Sequence, residues 1–284
     1  MSEPAIKPAT IVISSHVARG SIGSRAAVFA LETLGFPVWT IPTILLPWHP
    51  GHGPATRIVP KAAEFDAFIE DIANAPWTNE IGGILTGYMA NPEQVTAVAG
   101  LVSSLKEKKP DLRFACDPVI GDGGGLYVAE ETAIAIREKL LPLSDILTPN
   151  RYELAWICDD DVPITLNDTK DLAGRLGLRS VLVTSVPGDP GNRISNLLLE
   201  DDKALLSTHE KLENPPNGTG DLFAALFLGN QLSGIDSINN LQKSTAAVLE
   251  ILQNTAETGS NELLLAGSVD SLSNPRMNIE VLEL

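Results

Sequence analysis

Two glycines and an aspartate stand in front of a strongly apolar stretch in the segment 217–229, NGTGDLFAALFLG. Gly218 and Gly220 lack a Cβ, so a second backbone or a ligand can approach them closely. The apolar residues from 222 onward are too many for one stripe, which predicts a helix enclosed on nearly every side. The free N–H groups at the start of a helix bind anions such as phosphate. Asp221 is then either an early-turn acid that interacts with the helix dipole or part of an anion-binding site.

Three further clusters of small and polar residues each follow an apolar run that is typical of a strand: SSHVARGSIGS (14–24), CDPVIGDGGGLYV (116–128) and TPNRYE (148–153). In a doubly wound sheet, ligands bind beyond the carboxyl ends of the strands. Turn chemistry explains any single cluster, but four clusters on the same side of one sheet indicate a shared site. We also predict that Ser24 caps the helix that follows the first cluster.

The glycines do not follow the familiar nucleotide-binding spacings. The chain contains no G-x-x-x-x-G-K-[ST] and no G-x-S-x-G, and GDGGG at 121–125 lacks the dinucleotide spacing. A P-loop enzyme is therefore excluded and a dehydrogenase is disfavoured. The histidines, at 16, 49, 52 and 209, do not form a metal-binding set. We interpret His49 and His52 as loop or substrate contacts.

Short apolar runs alternate with amphipathic stretches, which predicts βαβ units and a mostly parallel sheet in one α/β domain. The predicted strands are 10–14, 38–43, 83–86, 113–116, 146–148 and 180–184, followed by a hairpin of 196–200 and 204–208. The predicted helices are 24–34, 61–73, 92–108, 130–140, 168–176, 219–232 and about 236–256. NELLLA at 261–266 is either an edge strand or a final helical turn. The Pro- and Gly-rich segment 47–60 is predicted to be a flap loop.

The composition limits the partners of the chain. Its 284 residues carry a formal net charge of −16, and 44% of them are hydrophobic, as in folded globular proteins. The acidic balance argues against general binding of nucleic acid or of anionic membranes, because both need basic surface. We see no apolar run of membrane-spanning length and no secretory signal. Two cysteines, at 116 and 158, predict reduced thiols, and a cytoplasmic location is the expectation.

The glycine-rich segments resemble those of a known family. NGTGD before an apolar helix resembles the anion-hole signature of the ribokinase superfamily, whose members transfer the γ-phosphoryl group of ATP to an alcohol. SHVARGSIGSRAAVFALETLGFPVW with PTILLPWHPGHG resembles the opening of pyridoxal kinases, and CDPVIGDGGGLYV and DILTPNRYEL resemble their central segments. The resemblance extends from about residue 14 to about residue 229. It implies one ribokinase-like kinase domain over 1–284, with a three-layer α/β/α fold and a flap over the active site.

The same resemblance implies an activity. The chain is expected to phosphorylate the 5′-hydroxymethyl group of pyridoxal with ATP, which gives pyridoxal 5′-phosphate in vitamin B6 salvage. Phosphorylation of pyridoxine and pyridoxamine stays open. ATP and Mg²⁺ are the implied cofactors, dependence on a monovalent cation such as K⁺ stays open, and a homodimer is the implied assembly.

The resemblance also assigns the catalytic residues. The backbone N–H groups of Gly218, Thr219 and Gly220 would stabilise the transferred phosphate, and Asp221 would accept the proton of the attacking hydroxyl. The position of Asp221 in the first helical turn predicts that its ionised form is favoured, which would make it a weak base. A weak base suffices where the hydroxyl loses its proton late in a loose transition state.

Other residues are expected to hold the metal, the nucleotide and the substrate. Asn150 and Glu153 form an N-x-x-E motif that would organise Mg²⁺ through water, with Asp117 near the metal and the ATP phosphates. The further implied contacts are Thr148, Thr184 and Ser185 on the nucleotide side, and Ser15, Thr43, Tyr88 and Tyr127 on the substrate side. Each of the substrate-side residues could equally be a hydrogen-bonding residue of the core or of a strand end.

One segment departs from the family pattern. Pyridoxal kinases usually have Gln-Phe-Ser-Asn before the histidine, whereas this chain has Leu45-Leu46-Pro47-Trp48. Loss of the glutamine removes a hydrogen-bonding group from the ring pocket, so the preferred vitamer stays open. One alternative is a kinase of the same fold for hydroxymethylpyrimidine or its phosphate, which typically has Cys where this chain has Asp221. The other is a non-catalytic protein that binds vitamin B6 or a nucleotide.

Overall fold

A computed structural model describes residues 7–188 and 192–284 of the chain. Its strands are β1 (Ala9–Val17), β2 (Val38–Leu46), β3 (Ile81–Thr86), β4 (Arg113–Cys116), β5 (Gly121–Asp122), β6 (Gly125–Leu126), β7 (Ile146–Leu147), β8 (Ser180–Gly188), β9 (Arg193–Glu200), β10 (Lys203–Glu210) and β11 (Val281–Glu283). Its α-helices are α1 (Ser24–Thr33), α2 (Ala62–Ala73), α3 (Pro92–Lys108), α4 (Glu130–Ala135), α5 (Arg151–Cys158), α6 (Leu166–Gly174), α7 (Thr219–Leu232), α8 (Ser237–Glu257) and α9 (Val269–Ser273).

One large sheet organises these elements, in the strand order β11-β10-β9-β8-β7-β4-β3-β1-β2. The strands from β2 to β8 in this order pair in parallel. Strands β9, β10 and β11 add an antiparallel edge. The mostly parallel sheet predicted from the sequence is confirmed. Because the paired strands run in parallel, their carboxyl ends meet at one edge, where the polar clusters follow them.

Helices cover both faces of the sheet because successive strand residues point to opposite sides. Ile11 and Ile13 of β1 belong to a buried cluster with α2 to α6, whereas Val12 packs with α1, α7 and α8 on the other face. The three-layer α/β/α arrangement expected from the resemblance is therefore confirmed.

Three details of the sequence interpretation need correction. NELLLA forms neither a strand nor a helix: Leu263 and Leu265 are buried in the core, and the edge strand is β11 instead. The first helix is capped by Gly23, and Ser24 is its first residue, with its hydroxyl hydrogen-bonded to His16. The short helix α5 was missed, because its signal is a capping box rather than a long periodic pattern.

Helix α7 is buried along almost its whole length, as its apolar sequence predicts. Residues 222–230 are all buried, and the helix packs between α1, α8 and the sheet. This packing fixes the first turn of α7, which carries Asp221, relative to the ends of the strands. None of the helices in the described residues has both the length and the apolar character needed to cross a membrane.

We predict that Phe227→Ala lowers the free energy of unfolding by about 3–5 kcal/mol, because the ring is 1% exposed in this packed layer. Phe68→Ala is the matched control, since that ring is 48% exposed on α2, and it should change stability by less than about 1 kcal/mol. Urea unfolding measures both variants. Equal losses would contradict the assignment of α7 to the core.

Candidate active site

A cavity of about 490 Å³ lies at the carboxyl ends of the parallel strands. It brings together residues from all four polar clusters of the sequence, which are far apart along the chain. The predicted residues that line it are Ser15, Tyr88, Asp117, Tyr127, Thr148, Asn150, Glu153, Thr184, Gly218, Gly220 and Asp221.

Three of the expected contacts lie outside the lining of this cavity. Thr43 is fully buried, and its hydroxyl donates to the carbonyl of Tyr88 at 2.7 Å. It therefore fixes the backbone of Tyr88 and does not line the cavity itself. Thr219 donates its hydroxyl to the carbonyl of Pro216 at 3.0 Å, which closes the turn before α7. Ser185 is exposed on a β-bulge, with a positive φ of 60°, next to Thr184.

The loop before α7 packs directly on the loop after β1. Gly218 has a φ of 94°, and a Cβ on it would lie 2.2 Å from the carbonyl oxygen of Ser21. Gly23 donates its N–H to Oδ2 of Asp221 at 2.9 Å. A Cβ on Gly23 would lie 2.3 Å from the hydroxyl of Ser15, so both positions accept only glycine without movement. We name residues 217–220 the anion loop.

The carboxyl group of Asp221 is less acidic than its place in the helix suggests. Burial raises the pKa of Asp221 from 3.8 to about 6, although the N–H of Gly23 and its own N–H favour the charged form. The expectation that the helix start makes this group a weak base was therefore wrong, because desolvation outweighs the helix start. At neutral pH the group is still mostly ionised, and it is a stronger base than an ordinary aspartate.

Asn150 and Glu153 form a capping box at the start of α5. The side chain of Asn150 accepts from the N–H of Glu153 at 3.0 Å, and Glu153 accepts from the N–H of Asn150 at 2.9 Å. The pair also fixes the segment after β4: Glu153 accepts from the N–H of Ile120, and Asn150 donates to the carbonyl of Gly121. Both side chains are thus held rigidly by backbone groups.

Asp117 completes a group of buried acids. Its Oδ1 accepts the hydroxyl of Thr148 at 3.0 Å, and the residue is 8% exposed. Burial and the neighbouring Glu153 and Asp221 hold the pKa of Asp117 well above its usual range. Burial likewise raises the pKa of Glu153 to about 7. Among the described residues, no three His, Cys, Asp or Glu side chains are placed to hold a metal ion together.

Several lining residues were not identified from the sequence: Ile22, Leu46, Pro50, Arg57, Val119, Asp122, Asn217 and Phe223. Most of them lie within a motif quoted above, but their side chains carry no signal of their own. Arg57 is an exception, because it is the one basic side chain of the 47–60 segment apart from histidine. Its Nη2 donates to the hydroxyl of Tyr88 at 2.9 Å.

The 47–60 segment, which we name the flap, covers one side of the cavity. His49, Pro50 and Arg57 line the cavity, and the backbones of Leu45 and Ile58 pair across the base of the segment. A short 3₁₀ turn, Pro50–His52, forms its tip. His49 is thus a loop residue that lines the cavity, and its contact with a substrate stays a prediction.

Comparison with known proteins matches the chain to kinases. A model of the phosphomethylpyrimidine kinase family matches residues 62–265. The pyridoxal kinase PdxY of Corynebacterium diphtheriae is 31% identical over 274 residues, covering 95% of this chain and 97% of that protein. PdxY of Pseudomonas aeruginosa is 33% identical, covering 98% and 99%. The chain belongs to the pyridoxal kinase family.

The structural comparison agrees with this family. A pyridoxal kinase from Leishmania donovani, solved in complex with ADP and pyridoxamine, has a TM-score of 0.90 and 29% identity, covering 98% of this chain and 99% of that one. The ribokinase-like fold implied by the sequence is thus confirmed. The departure at 45–48 falls at the cavity, where Leu46 is part of the lining, whereas Leu45 and Trp48 are 42% and 37% exposed.

The close contact at the anion loop gives a testable consequence. Gly218→Ala should lower the free energy of unfolding by about 1–3 kcal/mol, because the new Cβ meets a carbonyl oxygen at a positive φ. Gly220→Ala is the control, since no atom lies within 4 Å of its Cβ position and alanine favours the helix. Denaturant titration of both variants checks this. A Gly218 variant as stable as the Gly220 variant would contradict the packing described above.

Proposed function

We propose that the chain is a kinase that transfers the γ-phosphoryl group of ATP to the 5′-hydroxymethyl group of pyridoxal or a related B6 vitamer. The observation that carries this proposal is a carboxylate with a raised pKa, Asp221, in the first turn of a buried helix beside the anion loop. The close relatives named pyridoxal kinase support it, as does the related structure with bound ADP and pyridoxamine.

In this proposal, the anion loop and Asp221 carry out the reaction. The N–H groups of Gly218, Thr219 and Gly220 at the start of α7 stabilise the charge that develops on the transferred phosphoryl group. Asp221 accepts the proton of the attacking hydroxyl. Its hydrogen bond from Gly23 fixes the carboxylate, and the packing of α7 prevents it from moving away.

The buried acids fit a requirement for Mg²⁺. Asp117, Glu153 and Asp221 place carboxyl groups near one another, and burial with mutual repulsion raises the pKa of Asp117. A divalent cation would supply the missing positive charge, and Mg²⁺ prefers such oxygen donors while it retains much of its water. The oxygens of Asn150 and Glu153 already accept backbone N–H groups. We therefore propose that these two residues and Asp117 hold the ion through water; dependence on K⁺ stays open.

The two sides of the cavity suit the two substrates. Thr148 and Thr184 would contact the nucleotide, with Ser185 beside them. Ser15, Tyr88 and Tyr127 would contact the ring, and Thr43 would act through Tyr88. Apolar lining from Ile22, Leu46, Val119 and Phe223 offers flat contact for an aromatic ring. Arg57, which donates to the Tyr88 hydroxyl, is a further group that could bind an oxygen of the ring.

A pyrimidine alcohol is the second candidate substrate, because the matching family model describes phosphomethylpyrimidine kinases. Asp221 at the position where those enzymes typically carry Cys favours the B6 vitamers. The departure at 45–48 keeps a non-catalytic binding protein as a further alternative.

We also propose a homodimer and a cytoplasmic location, for which light scattering of the purified protein and fractionation of cells are the tests.

The function is tested with ATP, Mg²⁺ and three alcohols in parallel. We expect ADP formation and a phosphorylated product with pyridoxal. Pyridoxine is the second alcohol tested, and hydroxymethylpyrimidine is the third. Chelation of Mg²⁺ should abolish turnover. Turnover with the pyrimidine alone would assign the chain to the alternative kinase, and binding without turnover would indicate a non-catalytic protein.

Asp221→Asn separates a catalytic base from a structural acid. We expect kcat to fall by about 10²–10⁴-fold with ATP affinity retained, because the amide keeps the size but cannot accept the proton. In the parent protein, kcat should fall as the pH drops through about 6, where Asp221 becomes protonated.

The stability of the Asp221→Asn variant should change in the opposite direction to its kcat. The folded-state pKa of Asp221 lies above 3.8, so its contribution to stability is lost as the pH rises toward about 6. At pH 7 the Asn variant should be as stable as the parent or more stable, by up to about 3 kcal/mol. Glu93→Gln, an exposed acid in the first turn of α3, is the matched control and should leave kcat unchanged. A stably folded Asn variant with parental kcat would rule out Asp221 as the base.

A further inference from the structure

Glu262 lies between α8 and α9, outside the cavity lining, and contacts two segments that border the cavity. Its Oε1 lies 2.8 Å from Nη1 of Arg19 and 2.9 Å from Nε2 of His52 in the flap. Asn261 accepts a second hydrogen bond from Arg19 at 3.1 Å. The side chains of Glu262 and His52 are 13% and 22% exposed, so solvent screens their contact less than it screens a surface pair, whereas Arg19 is 56% exposed. One carboxylate thus connects three separate parts of the chain.

The segment that carries Glu262 is firmly attached to the protein. The hydroxyl of Ser260 donates to the carbonyl of Glu262 and accepts its N–H, which fixes the local turn. Leu263 and Leu265 are 2% and 3% exposed in the core. The N–H of Leu264 donates to the hydroxyl of Thr255 in α8 at 3.2 Å. Glu262 is therefore a fixed point to which a movable loop can attach.

The loop after β1 leaves space for this carboxylate. Gly20 has a φ of 105°, and a Cβ on it would lie 2.4 Å from Oε2 of Glu262. Any other residue at position 20 would collide with the carboxylate or displace it. The absence of a side chain at Gly20 is thus what allows Glu262 to reach Arg19 and His52.

On the flap, the contact is made at its tip. His52 ends the turn Pro50–His52, and its ring centroid lies 6.4 Å from that of His49, which lines the cavity. The Cβ position of Gly51 lies 3.6 Å from Nδ2 of Asn217 in the anion loop. The tip of the flap, which Glu262 contacts, therefore lies against the anion loop, where we propose that the phosphoryl group binds.

We propose that Glu262 is a positioning residue that holds the flap closed over the anion loop through His52. This role rests on the proposed kinase function, in which a closed flap excludes water from the phosphoryl group and keeps the alcohol in place. Glu262 touches neither substrate. Its effect on the reaction passes through His52 to His49 and Pro50, and it also restrains the loop after β1 through Arg19.

Hydrogen exchange of the protein without any ligand tests the structural part. Glu262→Gln removes the charge at nearly constant size, and we expect the flap amides from Trp48 to Arg57 to exchange about three- to tenfold faster. His52→Ala, on the exposed flap, should produce the same change, and the double variant should add little to it. Glu257→Gln, an exposed acid at the end of α8, is the matched control and should leave flap exchange unchanged.

Kinetics with ATP and pyridoxal test the consequence for the reaction. In the Glu262 variant we expect KM for the alcohol to rise about three- to tenfold, kcat to change less, and ATP hydrolysis without alcohol to increase. Parental flap exchange in folded Glu262 and His52 variants would overturn the proposal. Because the exchange experiment needs no substrate, failure of the parent protein to phosphorylate any vitamer would refute the kinase function without deciding on the flap contact.

Discussion

The hydrogen bond from the N–H of Gly23 to Asp221 joins the two loops between which the reactive end of the cavity lies. The two loops approach so closely because Gly218 carries no side chain, since a Cβ there would lie 2.2 Å from the carbonyl oxygen of Ser21; Gly23 in turn packs against Ser15, where a Cβ would also collide. The rest of the arrangement depends on this contact. Helix α7 cannot shift without breaking it, and α7 is held in place by the burial of residues 222–230. The carboxylate of Asp221 and the ends of the strands are therefore parts of one rigid unit.

Close packing at this point has an electrostatic consequence. Burial of Asp117, Glu153 and Asp221 near one another raises the pKa of each carboxyl, because each loses water and Asp117 also faces two like charges. Backbone N–H groups offset part of this cost at Glu153 and Asp221. A site of this kind accepts a cation readily and binds an anionic nucleotide poorly without one. The proposed requirement for Mg²⁺ follows from the same burial that raises the pKa of Asp221.

The open side of the cavity is built differently. The flap contains few buried apolar residues, and apart from the backbone pairing at its base it is held by polar side-chain contacts of Arg57 with Tyr88 and of His52 with Glu262. Such contacts are weaker than the packing of α7, which suits the proposed role of this segment as a flap that opens and closes. The acids therefore lie on rigid apolar packing, whereas the flap on the open side of the cavity is held by weaker polar contacts.

The sequence alone determined the sheet, most helices and the clusters that form the site, because these depend on local periodicity and on glycine and acid spacing. By resemblance it also predicts the roles of Asp221 and the anion loop. The tertiary structure determines the features that depend on contacts between residues far apart in the chain. It placed Thr43 behind Tyr88 rather than in the cavity, brought Arg57 to the Tyr88 hydroxyl and Glu262 to the flap, and raised the pKa of Asp221 by burial. Desolvation and long-range contacts arise only when distant segments meet, so no local pattern in the chain encodes them.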